Sequence, residues 1–234
     1  MTTPLPFRRP NPLLATTVAL LAALAGMGGC QQGEYTNNRL KGDDALLGEQ
    51  YEDAIVYYNK YLDGRPGEPT VRTSLGKALL RAGRPREAAS ELRIAYSQRP
   101  GNEETIDLLS EAMVESKQFD ELYRLLRTNA VDRGTVNDHM RLGRYSLAMG
   151  DTDSAHTAFL TAARVDKGRT PEPQLALCDY YFAIGDRPNA VRRLQAAYYL
   201  APRGTATLER MRKLEISEGP KWAGRVPEEA AGSQ

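Results

Sequence analysis

Histidine, cysteine and paired carboxylates are the side chains here that could do chemistry, and the chain is poor in the first two. Its 234 residues include two His and two Cys. His139 and His156 lie 17 residues apart, not the i, i+4 spacing that sets two imidazoles on one helix face around a metal. They read as surface or partly packed histidines. Cys178 falls where small residues recur along the chain, a place that suits a buried thiol at a helix contact better than a nucleophile. The pairs Asp43–Asp44 and Glu103–Glu104 read as helix starts, where carboxylates favour the helix dipole. Neither a Gly-rich phosphate loop nor a G-x-S-x-G elbow is present. No catalytic residue, metal site or cofactor is assigned, and the chain does not read as an enzyme.

The elements that would carry a function must therefore be sought in the pattern. Charged residues make up 26% and apolar residues 41%, which fits an α-rich body and excludes a polytopic membrane protein. Lys plus Arg number 31 against 30 acidic residues, a balance that argues against a nucleic-acid partner.

Residues 1–29 read as a secretory leader. Arg8 and Arg9 precede an apolar stretch from Leu13 to Met27, shorter than the roughly 20 residues of a bilayer span. The segment closes Leu24-Ala25-Gly26-Met27-Gly28-Gly29-Cys30, which resembles the lipobox of bacterial lipoproteins, with Met27 where that family usually has Leu. The resemblance implies that Cys30 is the lipid attachment site and first mature residue, with 30–34 a short tether. A rival cut after Ala25 fits ordinary signal peptidase. Lipidation would place the protein outside the cytoplasm, anchored to a bacterial membrane and facing the periplasm or exterior. Two or more acyl chains, at ~0.8 kcal/mol per buried CH₂, hold such a domain durably.

The remainder repeats. Alanine followed four residues later by a large apolar residue recurs at Ala54/Tyr58, Ala88/Leu92, Ala155/Phe159 and Ala190/Leu194, with Leu122/Leu126 filling the third place. The spacings are 34, 34, 33 and 35. Twelve residues before each anchor stand Gly42, Gly76, Ser110, Gly143 and Cys178; five before stand Glu49, Gly83, Lys117, Gly150 and Gly185. Twelve after come Pro66, Pro100, Gly134, Lys167 and Pro202. This pattern resembles the tetratricopeptide repeat (TPR) family over about Tyr35 to Gly204. The resemblance implies an all-α, right-handed superhelical solenoid of antiparallel helix pairs. Its five repeats are expected at 35–68, 69–102, 103–136, 136–169 and 171–204. Small residues would sit where paired helices approach, glycine would end the first helix and proline the second. Leu122 at a small-residue position should splay the third pair or force local repacking. Residues 205–218, with Leu208, Met211 and Leu214, are expected to form a capping helix. Residues 219–234 carry Gly219-Pro220, Pro227 and Gly232 and read as a disordered tail. Trp222, the only Trp, would either pack back on the cap or serve as a docking residue.

In the family, motif positions 2, 5, 9, 12 and 13 commonly face a concave groove. Carried onto this chain, they give Arg39, Asp43 and Leu47, then Thr73, Lys77 and Arg81. Glu104, Asp107, Glu111 and Glu115 follow, then Asn137, Met140 and Arg144, and last Glu172, Asp179 and Phe182. Basic and acidic bands alternate, which could set the register of an extended or helical protein segment. The pairing of Lys and Asn that clamps a peptide carboxylate in some relatives is not reproduced by Arg39 and Asp43. The resemblance thus implies a membrane-tethered scaffold for protein–protein interaction. Lipoproteins of this build resemble assembly factors of type IV and Flp-type pili and secretion systems, and subunits of outer-membrane assembly machines. The alternative is an envelope glycan-binding or enzyme-accessory module using Tyr180, Tyr181, Tyr198 and Tyr199. The sequence carries no residue-level argument about oligomeric state.

Overall fold

The computed structural model describes residues 35–216. The leader, Cys30, its tether and the tail from 217 onward lie outside the described residues, as does the last part of the expected cap. Among the described residues the regular structure is entirely helical. Helix α1 covers residues 35–47. It is followed by α2 (Tyr51–Gly64), α3 (Pro69–Arg81), α4 (Pro85–Gln98), α5 (Glu103–Glu115) and α6 (Phe119–Asp132). Then come α7 (Val136–Ala148), α8 (Thr152–Asp166), α9 (Glu172–Ala183), α10 (Arg187–Leu200) and α11 (Thr205–Lys213). The architecture is an all-α solenoid of helix pairs. No described helix is long and apolar enough to cross a membrane.

The glycines explain why these helices pair so closely. A Cβ placed on Gly42 would lie 2.7 Å from the Tyr58 ring, one on Gly76 2.3 Å from Leu92 Cγ, and one on Gly143 2.5 Å from the Phe159 ring. Each is a first-helix residue against the large side chain four residues past the alanine anchor. Tyr58, Leu92 and Phe159 are buried, each contributing about 1.5–3 kcal/mol. Cys178 and Ser110 take the same place in their repeats and are also buried; the Ser110 hydroxyl donates to Ile106 O at 2.8 Å.

The turn inside each pair is the same five times over. Glu49, Gly83, Lys117, Gly150 and Gly185 all have positive φ. At Gly83, its amide donates to Leu80 O and the Arg84 amide to Leu79 O, at 3.0 and 2.9 Å. That is the doubly bonded αL helix end. Glycine reaches this conformation without penalty; Glu49 and Lys117 do so with a Cβ to accommodate. The next helix then starts on Pro85 in α4, or on an Asp side chain in α8 and α10, where Asp151 and Asp186 accept from the Ser154 and Asn189 amides.

A second buried row on each first helix packs on the preceding repeat. It comprises Val71, Leu75 and Ala78 in α3, Thr105, Leu109 and Ala112 in α5, Leu177 and Tyr180 in α9, and Thr207 and Met211 in α11 with Leu214 just past its end. In α1 the corresponding residues are Asn37, Lys41 and Asp44, all exposed. The stack therefore begins on a polar face. In α7 the row opens with Asp138, buried, whose carboxylate closes a capping box with Thr135 and lies 3.3 Å from Arg133 and 3.6 Å from Arg141. One expectation needs correcting here. Glu103 and Glu104 do open α5, but Asp43 and Asp44 sit near the end of α1, because the repeat register sets them in the helix's second half.

The chain divides into two compact units between Gln118 and Phe119. The division falls inside the third repeat, the one whose anchor is Leu122. In the first unit α5 packs on α3 and α4; in the second α6 packs on α7, with Leu122 and Leu126 buried.

Two stability changes follow from this geometry. Gly76→Ala is expected to lower stability by about 1–3 kcal/mol, since Leu92 is walled in and must leave its rotamer. Lys117→Gly is expected to raise it by about 0.5–1 kcal/mol, relief of the left-handed strain outweighing the entropy of glycine. Urea midpoints at unchanged m-value check both.

Candidate functional site

In the first unit the residues expected in the groove are brought together on α1, α3 and α5, largely as ion pairs. Arg39 Nε lies 3.8 Å from Asp43, one turn along α1. The Tyr58 hydroxyl also donates to Asp43, at 2.8 Å. Burial and that carboxylate push the phenol well above its ordinary range. Thr73 is buried, sharing a hydrogen bond of 2.8 Å with Thr105 across the second and third repeats. Along the same seam Lys77 Nζ stands 3.5 Å from Glu104, and Arg81 Nη1 2.9 Å from Glu111. Asp107 and Glu115 are exposed on α5, and Leu47 is 84% exposed at the end of α1. The basic and acidic bands of adjacent repeats thus face one another and pair.

In the second unit the corresponding surface is a cavity of about 440 Å³ between α7, α9 and α11. Its apolar lining is Met140, Leu147, Phe159, Leu175, Ala176 and Ala206; its charged lining is Arg144, Glu172, Asp179 and Arg210. Arg210 Nε donates to both Asp179 oxygens at 2.9 and 3.0 Å, and that pairing pushes the guanidinium further up. Lys213 holds its ammonium 4.6 Å from the Phe182 ring centroid. Arg144 and Glu172 are both exposed, and neither has an ion-pair partner among the described residues. Sequence reasoning placed Arg144 and Asp179 on this surface but left out Arg210, Lys213 and Ala206. The signal was available: the same motif positions carried into the capping helix reach Ala206 and Lys213.

The remaining reactive side chains are packed. His156 Nε2 lies 2.8 Å from the Tyr181 hydroxyl, and its ring stacks on Tyr180 with centroids 5.0 Å apart. His139 is half-buried, and burial lowers its pKa. Cys178 is buried, and burial pushes its thiol up to about 12, away from the thiolate that reacts.

The tetratricopeptide-repeat family model matches residues 39–103, which hold the Gly42–Tyr58 and Gly76–Leu92 contacts. Residues 39–103 are thus a tetratricopeptide-repeat segment. Among solved structures the TPR solenoid is similar to a MamA protein, with 21% identity, TM-score 0.56 and coverage of 80% of this chain and 98% of that one. It is also similar to a thermophilic TPR protein of Thermus thermophilus, at 19% identity, TM-score 0.55, and coverage of 77% and 98%. A third is PilF of Pseudomonas aeruginosa, at 19% identity, TM-score 0.56, and coverage of 78% and 83%. At these identities the likeness is one of fold. No curated protein matches the chain. TPR proteins bind protein partners, and the TPR fold of this chain suggests a scaffold for protein–protein interaction.

The inter-repeat pairs have a measurable consequence. Arg81→Glu sets a carboxylate against Glu111 and is expected to lower stability by about 0.2–1 kcal/mol, the size of an exposed pair. The double reversal Arg81→Glu with Glu111→Arg should recover most of it. A double-mutant cycle in urea reads the coupling; full additivity would mean the pair does not form.

Proposed function

We propose that this TPR protein is a membrane-tethered scaffold whose first helices hold an extended or helical segment of a partner protein, in envelope assembly, pilus or secretion machinery. The observation that carries the binding half is the cavity between α7, α9 and α11. An apolar lining edged by one arginine and one glutamate without partners among the described residues offers a segment both area to bury and charges to align it. The tether half rests on Cys30 after small residues at the end of an apolar leader, and puts the solenoid on the periplasmic or outer side of a bacterial membrane. The fold likeness to PilF is consistent with the pilus branch of this reading. The glycan alternative loses Tyr180, buried against the His156 ring, and is left with Tyr199 as its exposed ring.

Cross-linking in native membranes, followed by mass spectrometry, tests it. One dominant protein is expected, joined to peptides of α7 or α9. Arg144→Glu is the informative variant, since reversal at Lys77, Arg81 or Glu111 also breaks a pair within the stack. It should reduce capture roughly tenfold, the loss of a rim charge worth about 1.4 kcal/mol, with helicity unchanged. Capture that is diffuse, or indifferent to Arg144→Glu, would sink the groove. Cys30→Ser should release the chain into the soluble fraction; persistence in the membrane would sink the lipid tether.

A further inference from the structure

The second unit has another cavity, on a different face of α7. We propose that it docks an acidic segment of a second partner protein, which seats one large apolar side chain between α6, α7 and α8 and sets a carboxylate on Arg127.

Sequence and packing make the cavity. Nine residues past each repeat anchor stand Asp63, Ser97, Val131, Arg164 and Tyr199, all exposed on their second helices. Val131 alone among them is aliphatic, and it is 74% exposed. Helices α6 and α8 each pack on α7, and the three enclose about 420 Å³. The apolar surface comes from Tyr123, Ala130 and Val131 of α6, Leu142 of α7 and Ala158 of α8. At one end the Tyr123 hydroxyl lies 3.4 Å from Ser154 Oγ and joins α6 to α8. From Tyr123 to Val131 is eight helical positions, about 12 Å. That is room for about four residues of extended chain.

Charge selects the occupant. Arg127 and Arg164 are exposed, and neither has an ion-pair partner among the described residues. Arg127 lines the cavity, as does His139. Burial, with Arg164 adding to it, lowers the His139 pKa. The imidazole is therefore neutral at pH 7 and offers a hydrogen-bonding group without a charge. Against the two cations stands one carboxylate of the lining, Asp153, in the first turn of α8, where the helix dipole already steadies it. The balance favours an acidic segment. Arg127, Val131, Asp153 and Thr157 are exposed along the rim, so a free small molecule would stay largely wet, unlike the ligand of an enclosing pocket. A chain segment brings its own backbone to cover the opening and to meet the Thr157 and Thr161 hydroxyls.

The site is separate from the groove. Helix α7 gives Met140, Arg144 and Leu147 to the groove cavity, and His139 and Leu142 to this one. At about 100° per residue the two sets lie roughly 140° apart around the helix. No residue lines both cavities.

Backbone amide NMR of the full chain tests the proposal. The probe is the blocked peptide Ser-Phe-Glu-Glu-Ser, and its control is Ser-Phe-Lys-Lys-Ser. The acidic peptide should shift amides of α6, α7 and α8 around Val131 and Leu142. It should bind about fivefold tighter than the control, the upper end for one exposed pair. Arg127→Glu should reverse that order, and Arg144→Glu should leave it intact. Equal binding of the two peptides, shifts confined to α9 and α11, or an order unmoved by Arg127→Glu overturns the proposal. Octanoate shifting the same amides as tightly would assign the site to a free amphiphile, and overturns it too. So does a peptide-free chain that sediments as a dimer until Val131→Glu is introduced, which would assign the face to a second copy. The two sites fail separately: Arg144-dependent capture without these shifts sinks this proposal alone, and these shifts without such capture sink the groove alone.

Discussion

Everything in this solenoid depends on one steric contact, a first-helix residue with little or no side chain pressed against a large side chain of the second helix. With a glycine at the crossing, the backbone approaches the Tyr58, Leu92 or Phe159 side chain more closely than any Cβ would permit. That contact fixes the depth of each pair and claims one face of the first helix. The row exemplified by Val71, Leu75 and Ala78 claims a second face for the preceding repeat. What is left is a single strip of each first helix, and it is this strip that presents Lys77, Glu111, Arg144 and Asp179. The strip is thus what packing leaves over, which is why its residues vary in kind while the crossing position holds only small ones, Gly42, Gly76, Ser110, Gly143 and Cys178.

That logic explains how much the sequence disclosed. Pairing, repeat register and the place of every intra-repeat turn were legible, because small residues and left-handed turns recur at fixed offsets. Glu49 and Lys117 were legible by position and hidden by type, since neither residue advertises a positive φ. The ion pairs were not legible: the pattern put Arg81 and Glu111 on the groove, but one fixed motif position says nothing about the 2.9 Å between neighbours. The division at Gln118 falls at the degenerate repeat, where Leu122 replaces the small anchor. Its consequence could be framed only as splaying or repacking, since a sequence shows that a contact is missing and not what replaces it. Cap residues Ala206 and Lys213 were missed because the motif was stopped one helix early, and Arg210 because it falls on none of the motif's groove positions.

The two units use their strips differently. In the first, Lys77–Glu104 and Arg81–Glu111 bridge neighbouring repeats beside the Thr73–Thr105 hydrogen bond, so the charges serve the stack. In the second, the only comparable bridge described along this strip is Arg210 on Asp179, which holds the cap to the last repeat. Its other charged residues, Arg144 and Glu172, flank an apolar lining.

A partner gains little by replacing an ion pair that already exists. Swapping Glu111 for a ligand carboxylate on Arg81 exchanges one half-exposed pair for another, and each such pair is worth only about 0.2–1 kcal/mol. Apolar area is different, because water is the only competitor for it: at ~25 cal/mol per Å² a single buried aromatic or leucine contributes about 1.5–3 kcal/mol. On the proposed scaffold reading, affinity should therefore come from the apolar lining of the second unit's cavity.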